Sequence, residues 1–228
     1  MQLHEALTST GAIRSFTGEP VEPAVVYEIL DTARFAPSGG NRQGWRAIVL
    51  EDASVRRAVR DAYLDAWHDY VAHGLAGLVA FSPLADEEER RAAAARREDA
   101  IDLSRPEGFA ESLDRAPVLI VVAVDLATLA ATDRDLERHQ LVGGASIYPF
   151  VWSILLAARE HGLGGVMTTV AIRNEATLVA ALHLPANWAV AAIVALGHPG
   201  ERRRRLRRRP VAEFARRDSF DGPPLASA

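Results

Sequence analysis

The sequence predicts an α+β fold in which helices cover a sheet, and three observations carry that prediction. Two continuous β-rich runs, Val118 to Val124 and Ala189 to Leu196, read as strands covered on both faces. Gly144 to His161 is largely apolar and strongly helical, and it closes in Gly162-Leu163-Gly164-Gly165, a C-cap followed by a turn, which marks a central buried helix. Strands and helices alternate irregularly along the chain, which favours a helix-layered sheet over a doubly wound parallel one.

The other elements follow from local pattern. Glu22 to Arg34 places Val25, Val26, Ile29, Leu30 and Ala33 at helical spacing, and the stretch Phe35 to Asn41, with Pro37, Gly39 and Gly40, breaks it. Trp45 to Leu50 reads as a strand, and Ser54 as the N-cap of a helix reaching about Trp67. Asp86 to Leu103 reads as one charged, Ala-rich helix, Val166 to Val170 as a short strand and Asn174 to Leu182 as a helix. With no internal repeat and no clear linker, residues 1–217 are expected to form one domain, with 86–108 as a protruding helical excursion and 218–228 as a tail without a core pattern.

Composition narrows the chemistry. A hydrophobic share of 49% over 228 residues is enough for a real core. The net charge of −4 gives no general attraction to nucleic acid or to an anionic membrane, so anions must be met locally. The absence of cysteine excludes disulfides, thiolate nucleophiles and iron–sulfur ligation. All 26 basic residues are Arg, so a Schiff-base lysine and a Walker-type phosphate loop are excluded as well. The N-terminus lacks a basic and then apolar leader, and no apolar run is long enough to span a bilayer, so the expectation is a cytoplasmic protein without a membrane partner. The seven His are scattered, with His68 and His73 five apart, and no metal site is expected.

The richest segment is Ala36-Pro37-Ser38-Gly39-Gly40-Asn41-Arg42-Gln43-Gly44-Trp45. Its glycines allow close backbone approach to a flat ligand, and Ser38, Asn41 and Gln43 offer a hydroxyl and two amides to a polar ring edge. On local composition alone an ordinary helix-to-strand loop is an equal reading. Arg202 to Arg209 holds seven Arg in eight residues, a solvated loop from which one guanidinium fork can reach a phosphate dianion. Trp67, Tyr70, Phe81 and Phe109 either pack against the sheet or cover a pocket.

Taken together, Ile13-Arg14-Ser15-Phe16, Glu19-Pro20-Val21, the helix to Arg34 and the Ala36–Trp45 loop resemble, in order and spacing, the first half of the nitroreductase family. His161-Gly162-Leu163-Gly164-Gly165-Val166-Met167-Thr168-Thr169, Leu182-His183-Leu184-Pro185 and Leu196-Gly197-His198-Pro199 are similar to markers of its second half, so the likeness covers about residues 8 to 217.

The resemblance implies a three-layer α/β/α arrangement around a mixed, mostly antiparallel sheet, in a homodimer with exchanged C-terminal segments. It implies FMN as cofactor, with Pro37, Ser38, Gly39, Asn41, Gln43, Thr168 and Thr169 against the flavin and Arg14 and Arg208 on its phosphate. Chemistry would then occur on flavin N5 with no catalytic side chain: NADH or NADPH gives a hydride, leaves, and a small-molecule acceptor such as a nitroaromatic or quinone takes the electrons.

The chain departs from the family pattern at Thr10-Gly11-Ala12, where a basic triplet is usual, and at Gly44, where Pro is usual. The first departure removes two charge-assisted bonds, each worth roughly 1.5–3 kcal/mol. It keeps open a flavin-free binding member of the same fold, and a flavin-dependent tailoring oxidase using O2 is a further alternative that keeps fold and flavin but changes the reaction. A nucleic-acid binder is disfavoured because one Arg loop supplies neither an aromatic platform nor a groove-reading helix.

Overall fold

The computed structural model describes residues 2–200 and 206–225. In chain order its helices are α1 (Leu3–Ser9), α2 (Pro23–Ala33), α3 (Ala53–Leu75), α4 (Glu87–Ala94), α5 (Arg97–Asp102), α6 (Tyr148–Glu160), α7 (Glu175–Leu182) and α8 (Val211–Phe214). The strands are β1 (Trp45–Val49), β2 (Val118–Asp125), β3 (Gly164–Thr168) and β4 (Trp188–Gly197).

The four strands pair antiparallel in the order β1-β2-β4-β3. A parallel component enters through an isolated bridge between Ala12 and Gly165, which lays the N-terminal segment along the outer edge of β3. Because successive strand residues face opposite sides, β2 feeds two cores. Ile120 and Val122 pack with α2 and α6 on one face. Leu119 and Val121 pack with Val59 and Tyr63 of α3 and Leu178 of α7 on the other. This is the α+β, helix-covered sheet that the sequence predicts, with both faces of β2 and β4 closed.

Helix α2 starts with Pro23 in its first turn, where a missing N–H costs nothing, and buries Val26, Ile29 and Ala33 on one stripe. Helix α6 buries Phe150, Val151, Ile154, Leu155, Ala157 and Ala158, as expected of a central helix. The pairing of β2 with β4 shifts between Val122 and Ala123, so Ala191 and Ala192 both face the α6 side.

Several boundaries differ from the sequence reading. The cap of α3 is Asp52, whose carboxylate accepts from the N–H groups of Ser54 and Val55, and the helix runs on to Leu75. Its second half is held by stacking of Trp67 on Tyr63 and Tyr70 and by Arg97 pairing with Asp65 and Asp69. The single helix expected over Asp86 to Leu103 is two, α4 and α5, broken after Ala94. β3 begins at Gly164 rather than Val166, because the glycines that read as a turn already pair with β4. Among the described residues, no helix is long and apolar enough to cross a membrane.

Candidate functional site

The loop between α2 and β1 is anchored at both ends. Ala33 and Ala36 are buried at its entry. At its exit Trp45 stacks on Phe150 of α6, with ring centroids 4.7 Å apart and planes 6° from parallel. Between these anchors Gly39 N–H donates to Ser146 Oγ at 3.0 Å, and Gln43 N–H donates to Ser38 Oγ at 3.0 Å. Gly44 lies so close to Thr128 that a Cβ there would overlap the threonine hydroxyl, which accounts for glycine where the family has proline.

The loop backbone is unusual in one respect: Asn41 (φ 54°) and Gln43 (φ 50°) both adopt the left-handed conformation, beside Gly40 (φ 61°). Non-glycine residues hold such angles at a cost of about 1–3 kcal/mol each and do so where the surroundings over-determine them, often at ligand sites. Gln43 Nε2 donates to Asn41 Oδ1 at 3.1 Å, so the two amides brace each other. That bond leaves the Asn41 amide N–H groups and the Gln43 carbonyl as a donor and acceptor edge on an exposed loop. Ser38 accepts through Oγ and retains its own proton for donation.

A second group assembles at the β3 edge. Ile13 N–H donates to Gly165 O at 2.9 Å, which places Arg14 beside β3. Tyr63 on α3 is buried, and the Thr168 side chain and Arg14 act on its phenol. Burial pushes its phenol up, while the Thr168 hydroxyl and the Arg14 charge act in the opposite sense. Arg14 also faces a polar cavity of about 420 Å³ with Ser15, Thr17, Ser112 and Arg115. Thr169 is exposed at the end of β3.

The Arg-rich segment comes close to the N-terminal one. Leu206 N–H donates to Thr8 O at 3.3 Å, and its side chain lies where a Cβ on Gly11 would sit, 2.8 Å from it. Arg208 is exposed, and its Nη1 donates to Arg207 O at 2.8 Å. Arg202 to Arg205 lie outside the described residues. Thr10 is buried with its Oγ1 lacking a hydrogen-bond partner among the described residues, an orphaned hydroxyl beside the cationic segment.

The expected site residues thus fall into two groups. Arg14, Thr168 and Thr169 gather along the β3 edge, with Arg208 in the segment that adjoins residues 8–11. Pro37, Ser38, Gly39, Asn41 and Gln43 sit in the loop that leads into β1, at the opposite edge of the sheet. The cavity that Arg14 lines contains no residue of that loop, and the one that Pro37 lines is walled by α1 and α6 instead. Ser146, Thr128 and Phe150, which hold or border the loop residues, carry no local sequence signal because each acts on a residue far away in the chain.

The donor set suits a flavin mononucleotide: guanidinium groups and an orphaned hydroxyl for a phosphate, and amide edges for a heterocycle. The fold defines a nitroreductase-like protein. The chain belongs to the nitroreductase family, whose model matches residues 8–198. It is 30% identical over 195 residues to 5,6-dimethylbenzimidazole synthase of Rhodospirillum rubrum, covering 83% of this chain and 78% of that protein. It is also 30% identical over 194 residues to an NADH dehydrogenase of Thermus thermophilus, covering 83% of each. Among solved structures, oxidized iodotyrosine deiodinase bound to FMN and 3-iodo-L-tyrosine superposes with a TM-score of 0.65 at 19% identity, over 96% of this chain and all of that one.

Proposed function

We propose that this protein is an FMN-dependent oxidoreductase that takes electrons from NADH or NADPH and passes them to a small conjugated acceptor. The observation that carries the reading is the α2–β1 loop, where Asn41 and Gln43 hold left-handed backbone angles and turn their amide edges outward. Family membership and a Thermus thermophilus relative named NADH dehydrogenase support the redox class. When bound, FMN would supply two-electron hydride chemistry, and the protein its orientation and electrostatics.

In this reading Pro37, Ser38, Gly39, Asn41 and Gln43 hold the flavin ring, and Thr168 and Thr169 approach it from β3. Arg14 and Arg208 meet the phosphate, joined by the Thr10 hydroxyl. Since the two groups lie at opposite edges of one chain's sheet, a homodimer would complete each site from both copies. The C-terminal segment supports this: Phe214 and Phe220 are exposed, Phe220 fully, on a stretch that pairs with itself at Arg216 and Pro224.

A second reading is a flavin-dependent tailoring oxidase that uses O2, since the Rhodospirillum rubrum relative is named for the compound it makes and not for reducing an acceptor. Turnover of candidate acceptors under air, with and without NAD(P)H, separates the two. Dependence on the nicotinamide supports the reductase, and consumption of O2 with an organic substrate in its absence supports the oxidase.

A further inference from the structure

A cavity of about 520 Å³ opens between the end of β2, the start of α6 and the 131–142 loop. Its walls are mainly apolar, with Leu126, Leu129, Leu141 and Ile147 among them, and among the described residues its charged lining residue is Arg134, with no carboxylate beside it in the lining. Gln140 also faces it, its Nε2 donating to Arg134 O at 3.1 Å, so its carbonyl oxygen remains available.

This wall is built rather than loose. Asp133 is buried at 2% exposure, and its carboxylate accepts from Leu141 N–H at 2.7 Å and from Val142 N–H at 3.2 Å while Arg138 pairs with it at 2.9 Å. One buried carboxylate therefore staples both ends of the loop that carries Arg134, Gln140 and Leu141. On the far side the Tyr148 hydroxyl donates to Ala191 O at 3.4 Å, at the irregular register of β4, which fixes the aromatic ring at the cavity rim. Arg134 Nε meets Asp135 at 3.3 Å on the outside, leaving the two terminal nitrogens of the fork for a ligand. The cavity also adjoins the α2–β1 loop, since Ser146 and Thr128, which hold Gly39 and pack against Gly44, belong to its bordering segments.

We propose that this cavity binds a small amphipathic organic anion, an apolar body carrying one carboxylate, with Arg134 and Gln140 on the head group and the leucine-rich wall on the body. Identifying that ligand as the electron acceptor rests on the functional reading above; the binding site does not. The test is isothermal titration of the purified protein with 4-nitrobenzoate and, as the neutral isostere, 4-nitrobenzamide, in flavin-free and FMN-supplemented samples. The expected result is preference for the carboxylate in both samples, and a loss of between about tenfold and a hundredfold of its affinity in Arg134→Gln, with the amide unchanged. A cavity-filling Ala131→Trp variant should abolish binding of both. Equal binding of acid and amide, no effect of Arg134→Gln, or no binding of either probe overturns the proposal. Carboxylate-selective binding by a protein that retains no FMN upholds this site while defeating the functional reading.

Discussion

Gly39 N–H donates to Ser146 Oγ across 107 positions of sequence, and that single bond ties the α2–β1 loop to the segment that starts α6. Ser146→Ala should cost about 0.5–1.5 kcal/mol, lowering the melting temperature by about 2–4 °C per kcal/mol for a chain of this size. If the loop lines the flavin, FMN affinity falls further than stability does. Paired thermal melts and FMN titrations of the variant read both effects.

Gln43 holds a left-handed angle that glycine adopts freely. Gln43→Gly should therefore leave the melting temperature equal or higher while weakening FMN binding, because strain is relieved and an amide edge is lost. A variant that is less stable but binds FMN as before contradicts the role given to this side chain.

The N–H groups of Leu141 and Val142, with Arg138, hold the Asp133 carboxyl below its usual range. A folded-state value lower than the unfolded one means a stabilising contribution that is fully present above the unfolded value, near 3.9, and is lost as pH falls through the folded one. Asp133→Asn should thus be less stable than the wild type at neutral pH, with the gap closing in acid below about pH 4. Urea melts of both proteins across that range give the comparison, and a gap that widens in acid would have the wrong sign.

Ile154 is fully buried on α6 in the core shared with α2 and the sheet. Ile154→Ala should cost about 2–5 kcal/mol through lost burial and a residual cavity. A loss under 1 kcal/mol in denaturant titration would mean that α6 is not the packed centre described above.

How far the sequence could be read depended on how local the cause was. β2 and β4 are continuous apolar runs because both faces are covered, and their observed limits, Val118–Asp125 and Trp188–Gly197, lie within a residue of the pattern. The end of α3 was not legible, since Trp67 through Leu75 stay helical owing to ring stacking and to Arg97, which lies 28 residues beyond Asp69. β3 was shifted because Gly164 and Gly165 carry turn chemistry locally, while pairing with β4 decides their state. Of the candidate site, the loop residues could be named from their amides and hydroxyls, but their left-handed angles and the Ser146 anchor could not. Nor could the separation of Arg14 and Thr168 from Asn41 and Gln43, which is a property of strand order.

The central claim is that this member of the nitroreductase family holds FMN and reduces it with a nicotinamide. An absorbance spectrum of the purified protein, taken before and after addition of excess FMN and removal of the unbound fraction, tests it directly. The account predicts retained flavin bands that bleach when NADH or NADPH is added under anaerobic conditions. A protein that emerges colourless after FMN treatment would contradict it, and would mean that Thr10-Gly11-Ala12 has cost the chain its cofactor.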